Sequence, residues 1–253
     1  MSSPTLENKI TRRKAISILG ASGAVALLGC GSGTTNTNST STGGTTGSSS
    51  TSTGSSSANY AVLTPNITVG PYFVDEKLNR SDLTTNTTDT NVINGVPLAI
   101  QITILQYASG SCSPFAGAQV DIWHADAGGV YSDEAVENTL GQTYLRGYQI
   151  TDSNGLVSFN TIFPGWYSGR TVHIHLMIRT FSASGNPTLE FTTQLFFDDA
   201  LTTSILARAP YNASGTRNTT NSTDSLYNSQ TQLSLSATSS GYTSAITLAI
   251  RTS

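Results

Sequence analysis

The sequence predicts an all-β domain, an antiparallel β-sandwich with long surface loops. Three observations carry that expectation. Short runs rich in Val, Ile, Thr and Phe recur at Leu98–Leu105, Ala118–Trp123, Leu156–Phe163, Thr171–Thr180, Glu190–Phe197 and Ala245–Ile250. Clusters of Gly, Pro, Asn and Asp separate them, as turns between many short strands require. No segment after residue 58 sustains an apolar period of 3.6 residues, so no long amphipathic helix is expected.

Ahead of that domain the chain changes character. Thr11-Arg12-Arg13-Lys14 precedes an apolar run from Ile16 to Leu28, too short to cross a bilayer core of roughly 30 Å as a helix. A basic start before a short apolar stretch reads as an export signal over residues 1–29, and the paired arginines suggest the twin-arginine route, with general secretion as the alternative. Leu27-Leu28-Gly29-Cys30 resembles a bacterial lipobox, which would make Cys30 the lipidated first residue of the mature chain. Residues 31–57 are almost entirely Gly, Ser, Thr and Asn. They cannot bury enough apolar surface to offset the entropy of ordering. As a flexible coil they would span roughly 30 Å and hold a domain over residues 58–253 clear of a membrane surface. The expected location is therefore the cell envelope, periplasmic or extracellular, with membrane contact only through the lipid.

Charge narrows the function. The net charge of −3 hides four basic residues and one acidic residue in the signal; without them 8 basic and 14 acidic residues remain, a balance of −6. A domain so poor in Lys and Arg is a bad candidate for binding nucleic acid or anionic lipid. Two cysteines are too few for a disulfide scaffold. With Cys30 lipidated, Cys112 is expected to stand unpaired.

Within the domain, Asp152-Ser153-Asn154-Gly155 lies between Tyr148-Gln149-Ile150 and Leu156-Val157, where Asn-Gly is a hairpin signal. The polar stretch Leu201–Gln232 shows no clear strand; a loop of that length is usually functional or wrapped on the surface. Two of the three histidines fall in Val172-His173-Ile174-His175-Leu176. Alternation along a strand puts His173 and His175 on one face, a compact clamp for a first-row metal. On its own His-x-His reads equally well as two polar residues on a solvent face. Phe163-Pro164-Gly165-Trp166-Tyr167 can turn Tyr167 toward the histidine strand, and the Gly128-Gly129 loop after Trp123 can present Tyr131.

With these segments in order, the sequence resembles the intradiol ring-cleavage dioxygenases, and among them the exported single-chain type. The likeness runs from Gly70-Pro71-Tyr72-Phe73 through Trp123-His124, Tyr144-Leu145-Arg146-Gly147, Gly169-Arg170-Thr171-Val172-His173 and Thr193-Gln194-Leu195. It closes with Asn221, Asp224 and Gly241-Tyr242, and covers about residues 65–250. The resemblance implies a non-haem Fe(III) ion on Tyr131, Tyr167, His173 and His175. It implies a catechol-type substrate that displaces Tyr167, and cleavage with O2 between the two hydroxylated carbons to a muconate-type diacid. Arg170 would stabilise negative charge on the substrate, and Gln194 would lie nearby. His124 reads as structural, Tyr72 as a pocket-lining position, and Arg146 as the partner of a carboxylate such as Asp121 or Asp126. Related exported chains often carry Cys where Ala125 stands here. The chain lacks the second, partner subunit of protocatechuate-type enzymes, so the pocket is expected from this chain alone or from a homodimer. An iron- or catechol-binding lipoprotein without turnover is the alternative reading.

Overall fold

The computed structural model describes residues 63–89 and 91–252. The expected signal over residues 1–29, the lipidation site Cys30 and the linker over residues 31–57 lie outside the described residues. No described helix is long and apolar enough to cross a membrane.

The described chain forms β1 (Pro97–Ala108), β2 (Ser111–Pro114), β3 (Gln119–Trp123), β4 (Arg146–Ile150), β5 (Leu156–Ile162), β6 (His173–Phe181) and β7 (Pro187–Phe196). Helix α1 (Asp199–Leu206), β8 (Ser236–Ala237) and β9 (Tyr242–Arg251) follow. One sheet runs β2-β1-β9-β8, with β5 sharing an edge of the long strand β1; the other runs β4-β3-β6-β7. Pairing is antiparallel throughout except for β1 and β9, which run parallel. Each predicted run lies within or across one of these strands. Alternating Leu98, Ile100, Ile102 and Ile104 of β1 face Val120 and Ile122 of β3 and Ile174, Leu176 and Ile178 of β6 in one apolar core. Each such side chain contributes on the order of 1.5–3 kcal/mol by leaving water.

Three expectations need correction. The Asn-Gly turn does not join a hairpin, because β4 pairs with β3 while β5 pairs with β1. Asp152 Oδ1 accepts the N–H groups of Asn154 and Leu156 and tightens the turn, which hands the chain from one sheet to the other. The long polar stretch is not wholly irregular: α1 begins at Asp199, capped by the Asp198 side chain accepting from Leu201 N–H at 2.8 Å. Cys112, half-buried on edge strand β2, is not a free thiol.

Strand β6 positions the site. Its residues His173 to Arg179 are all buried, on both faces. One face belongs to the core between the sheets. The other lies under residues 67–76, which cross the outside of the β4-β3-β6-β7 sheet. Ile67 N–H donates to Thr192 O at 2.8 Å, and Gln194 Nε2 donates to Thr68 O at 3.2 Å. Arg179, 5% exposed, binds Asp121 and Asp75 and lies against the Phe73 ring at 5.3 Å. A second, aromatic core results, built from Trp123, Tyr131 and Met177 with Tyr72, Phe73 and Tyr167 packed on it.

Candidate metal centre

Register places the chemistry in one transverse row. Arg146 of β4, Trp123 of β3, His175 of β6 and Gln194 of β7 stand side by side across the sheet. His173 lies two residues along β6, on the same outer face. Trp123 stacks flat on the His175 ring, at 4.8 Å and 7°. Gly70 passes directly over that ring: with φ +74°, it leaves only 3.1 Å between a Cβ and His175 Cε1.

The tyrosines arrive from two loops. Asp126 Oδ1 accepts from Gly128 N–H and Val130 N–H, folding the loop that carries Tyr131. Gly129, at φ +86°, packs so closely that a Cβ would sit 2.1 Å from Trp166 O, on the loop that carries Tyr167. The two loops are thus fitted backbone to backbone. Four rings close a circuit, with centroid distances of 4.7 Å for His173–His175 and 5.7 Å for both Tyr167–His173 and Tyr131–Tyr167. Tyr131–His175 completes it at 6.1 Å.

The polar atoms inside are underserved. His173 Nδ1–H donates to Thr171 O at 2.7 Å, which makes Nε2 an acceptor with one lone pair. Three groups crowd it: His175 Nε2 at 3.1 Å, Tyr167 Oη at 3.2 Å and Arg170 Nη1 at 3.4 Å. One lone pair cannot serve all three. Tyr131 Oη and His175 Nδ1 are buried with no hydrogen-bond partner. Such orphans call for an explanation, an ion among them. Nitrogens each about 2.1 Å from one metal ion lie about 3 Å apart when they bind at right angles, close to the spacing of the two Nε2 atoms. The residues present fit a metal ion.

Electrostatics agree. Burial, then the neighbouring Arg170, holds His173 well below the usual imidazole range. Burial, then His173, does the same to His175. Both are therefore neutral and able to ligate at pH 7. Burial, reinforced by Tyr167, pushes the Tyr131 phenol well above its ordinary value, and burial raises Tyr167. A metal cation is what would turn either into a phenolate here. Among the described residues no three His, Cys, Asp or Glu side chains gather as a metal site; the convergent donors are two imidazoles and two phenols.

The structure thus brings Tyr131, Tyr167, His173 and His175 together, with Arg170 and Gln194 beside them. Arg170 Nη2 donates to Gln194 Oε1. His124 stays out: Nδ1–H donates to Ala125 O at 2.8 Å and Nε2 meets Thr161 Oγ1 at 2.7 Å, so both ring nitrogens are engaged away from the circuit. Arg146 takes neither of the expected carboxylates, Asp121 or Asp126. It donates to Ser132 O, Ser132 Oγ and Tyr72 O, locking the residue after Tyr131, because Arg179 takes Asp121 and the loop amides take Asp126. Two stacking contacts escaped the sequence reading: Trp123 on His175, and Tyr72, expected only to line the pocket, on Tyr131 at 4.4 Å and 19°. Both adjoin motifs already singled out, but stacking leaves no signal in one sequence.

Comparison with known proteins bears on the family and the fold. The family model described as Dioxygenase matches residues 68–214. Chlorocatechol 1,2-dioxygenase of Pseudomonas putida is 28% identical over 148 residues, 51% of this chain and 52% of that protein; the chain therefore spans about half the length of this curated relative. An intradiol ring-cleavage dioxygenase from Tetranychus urticae superimposes with a TM-score of 0.61 at 31% identity, over 75% of this chain and 94% of that one. The dioxygenase domain of a dioxygenase carbohydrate-binding protein fusion from Streptomyces sp. SirexAA-E gives 0.54 at 28%, over 76% and 99%. With the fold, the matched span and the near-complete coverage of these structures in agreement, the chain belongs to the intradiol ring-cleavage dioxygenase family.

Proposed function

We propose that this chain binds one non-haem Fe(III) through Tyr131, Tyr167, His173 and His175 and cleaves catechol-type diols with O2 to muconate-type diacids. The observation that carries the proposal is the closed circuit of two neutral imidazoles and two phenols around one overcrowded lone pair. Two phenolates are hard anionic donors that favour ferric over ferrous iron, and a carboxylate triad of the ferrous oxygenases is lacking among the described residues. A ferric ion held there would draw electron density from a bound catecholate and open its ring to O2.

The two tyrosines are not equivalent. Tyr131 is 2% exposed, stacked on Tyr72, and its carbonyl accepts from Thr139 Oγ1 at 2.6 Å. Tyr167 is half-buried and followed by exposed Ser168 and Gly169. Tyr167 is therefore the one free to swing aside for substrate. Burial raises its phenol, which favours Tyr167 Oη taking a proton from the incoming diol as it leaves. Arg170 Nη1, aimed at His173 Nε2, is placed to stabilise negative charge on a substrate in that position.

The test is a visible spectrum with an iron assay on residues 58–253, before and after adding catechol under nitrogen, followed by O2 uptake. A red-brown protein with about one iron per chain, whose band shifts with catechol, is the expected result. Tyr131→Phe should abolish most of the colour. A chain that stays colourless and iron-free after reconstitution removes the proposal.

We further propose that residues 1–29 export the chain and that a lipid on Cys30 anchors it. The mass of the mature chain decides: a diacylglyceryl adduct on Cys30 supports the anchor, and an unlipidated Cys30 removes it.

A further inference from the structure

Arg170 carries five N–H groups on a planar fork, and their directions are set from outside the strand. Nε donates to Asp224 Oδ2 at 2.9 Å; Nη2 donates to Gln194 Oε1; Nη1 is left facing His173 Nε2 at 3.4 Å. The ion pair is buried, with the two side chains 12% and 2% exposed. The same Asp224 oxygen accepts Thr171 N–H at 2.8 Å, and Thr171 O in turn accepts His173 Nδ1–H at 2.7 Å. Asp224 is itself held, since its Oδ1 accepts Leu226 N–H at 2.8 Å. Its loop is tied down as well: Asn221 Nδ2 donates to Phe197 O, and Asn221 Oδ1 accepts from Thr171 Oγ1, both at 2.7 Å.

We infer that Asp224 is a positioning residue: one carboxylate oxygen that fixes both the direction of Arg170's open edge and the backbone that orients His173. The two ties run through different atoms. Through Nε, Asp224 stops the guanidinium from turning, so that Nη1 is presented to the site. Through Thr171, it holds the carbonyl that keeps His173 in the tautomer with Nε2 free. This gives the polar stretch after α1 a task, because it delivers a charge that neither β6 nor its sheet neighbours supply at that corner. A charge-assisted hydrogen bond is about twice as strong as a neutral one, so an isosteric amide should loosen the fork without removing the shape that fills the corner.

The inference rests on the reading of Arg170 as the group that faces the substrate, and its test separates the two. Asp224→Asn, Arg170→Gln and the double variant are prepared as iron-loaded full chains, and kcat and KM are measured with catechol and O2. Asp224→Asn should lower kcat about 10- to 100-fold while KM moves less than about threefold, the loss typical of removing a group that orients a ligand. Iron content and the resting visible band should stay those of the unaltered chain. In the Arg170→Gln background the same change should cost several-fold less, because only the tie through Thr171 is left for it to weaken. Equal losses in both backgrounds, or a wild-type kcat in both Asp224→Asn and Asp224→Ala, would overturn the inference. Should the unaltered chain turn over no catechol, the proposed function fails on its own. The inference is then judged by a crystal structure of Asp224→Asn, where an Arg170 fork unmoved from His173 refutes it.

Discussion

His124 offers a stability prediction whose size follows from its surroundings. The ring is fully buried at the end of β3, with Nδ1–H donating to Ala125 O and Nε2 accepting from Thr161 Oγ1. The carbonyl can only accept, which settles the tautomer. Burial, with Arg146 adding repulsion, lowers the imidazole from 6.5 to about 4. The folded value lies below the unfolded one, so between those two pH values the unfolded chain binds more protons than the folded one. Stability is therefore complete above about pH 6.5, falls as pH drops toward 4, and takes no further loss from this group below that. The gap corresponds to about 3 kcal/mol. His124→Gln is neutral at every pH. It should cost about 1–2 kcal/mol at pH 7 for an imperfect replacement of the two hydrogen bonds. Going from pH 7 to pH 4, the unaltered chain should lose about 3 kcal/mol more than the variant does. The assay is urea unfolding of both metal-free chains at intervals across that range, where the remaining histidines are common to both and largely cancel. Parallel stability curves at every pH would refute the reasoning.

Two further outcomes follow from the packing. Gly129→Ala should destabilise the chain by about 2 kcal/mol and weaken iron binding, because the left-handed φ and the Trp166 carbonyl together exclude a Cβ; a melt and an iron titration read both effects. Arg179→Met should cost about 3–5 kcal/mol in urea unfolding, since it leaves Asp121 buried without its cation, and pairing it with Asp121→Leu should recover much of that loss.

The parts legible in the sequence are those set by short-range alternation. β1, β5 and β6 declare themselves because every second residue must be apolar to reach a core, and that same alternation places His173 beside His175. The turn at Asn154-Gly155 was equally visible as a turn, yet its partners were not. A local signal fixes the chain's change of direction but not which strand lies across from it, and here two sheets divide β4 from β5. Arg146 misled for a related reason: apart from the Ser132 hydroxyl, its acceptors are backbone carbonyls of Ser132 and Tyr72, which every residue possesses and no sequence advertises.

By itself, then, the sequence determined the strand-rich fold, the donor types and, through its family likeness, which two tyrosines and two histidines to expect beside Arg170. Only the tertiary structure decided that the histidine face is buried, because the cover comes from residues about 100 positions earlier, pinned there by Arg179 and Gln194. Only it decided that Asp224, about 50 positions later, steers Arg170. Alternation and turn chemistry act over a few residues and can be read along the chain. Burial and ion pairing depend on which distant segments fold back, and that is settled by packing the whole.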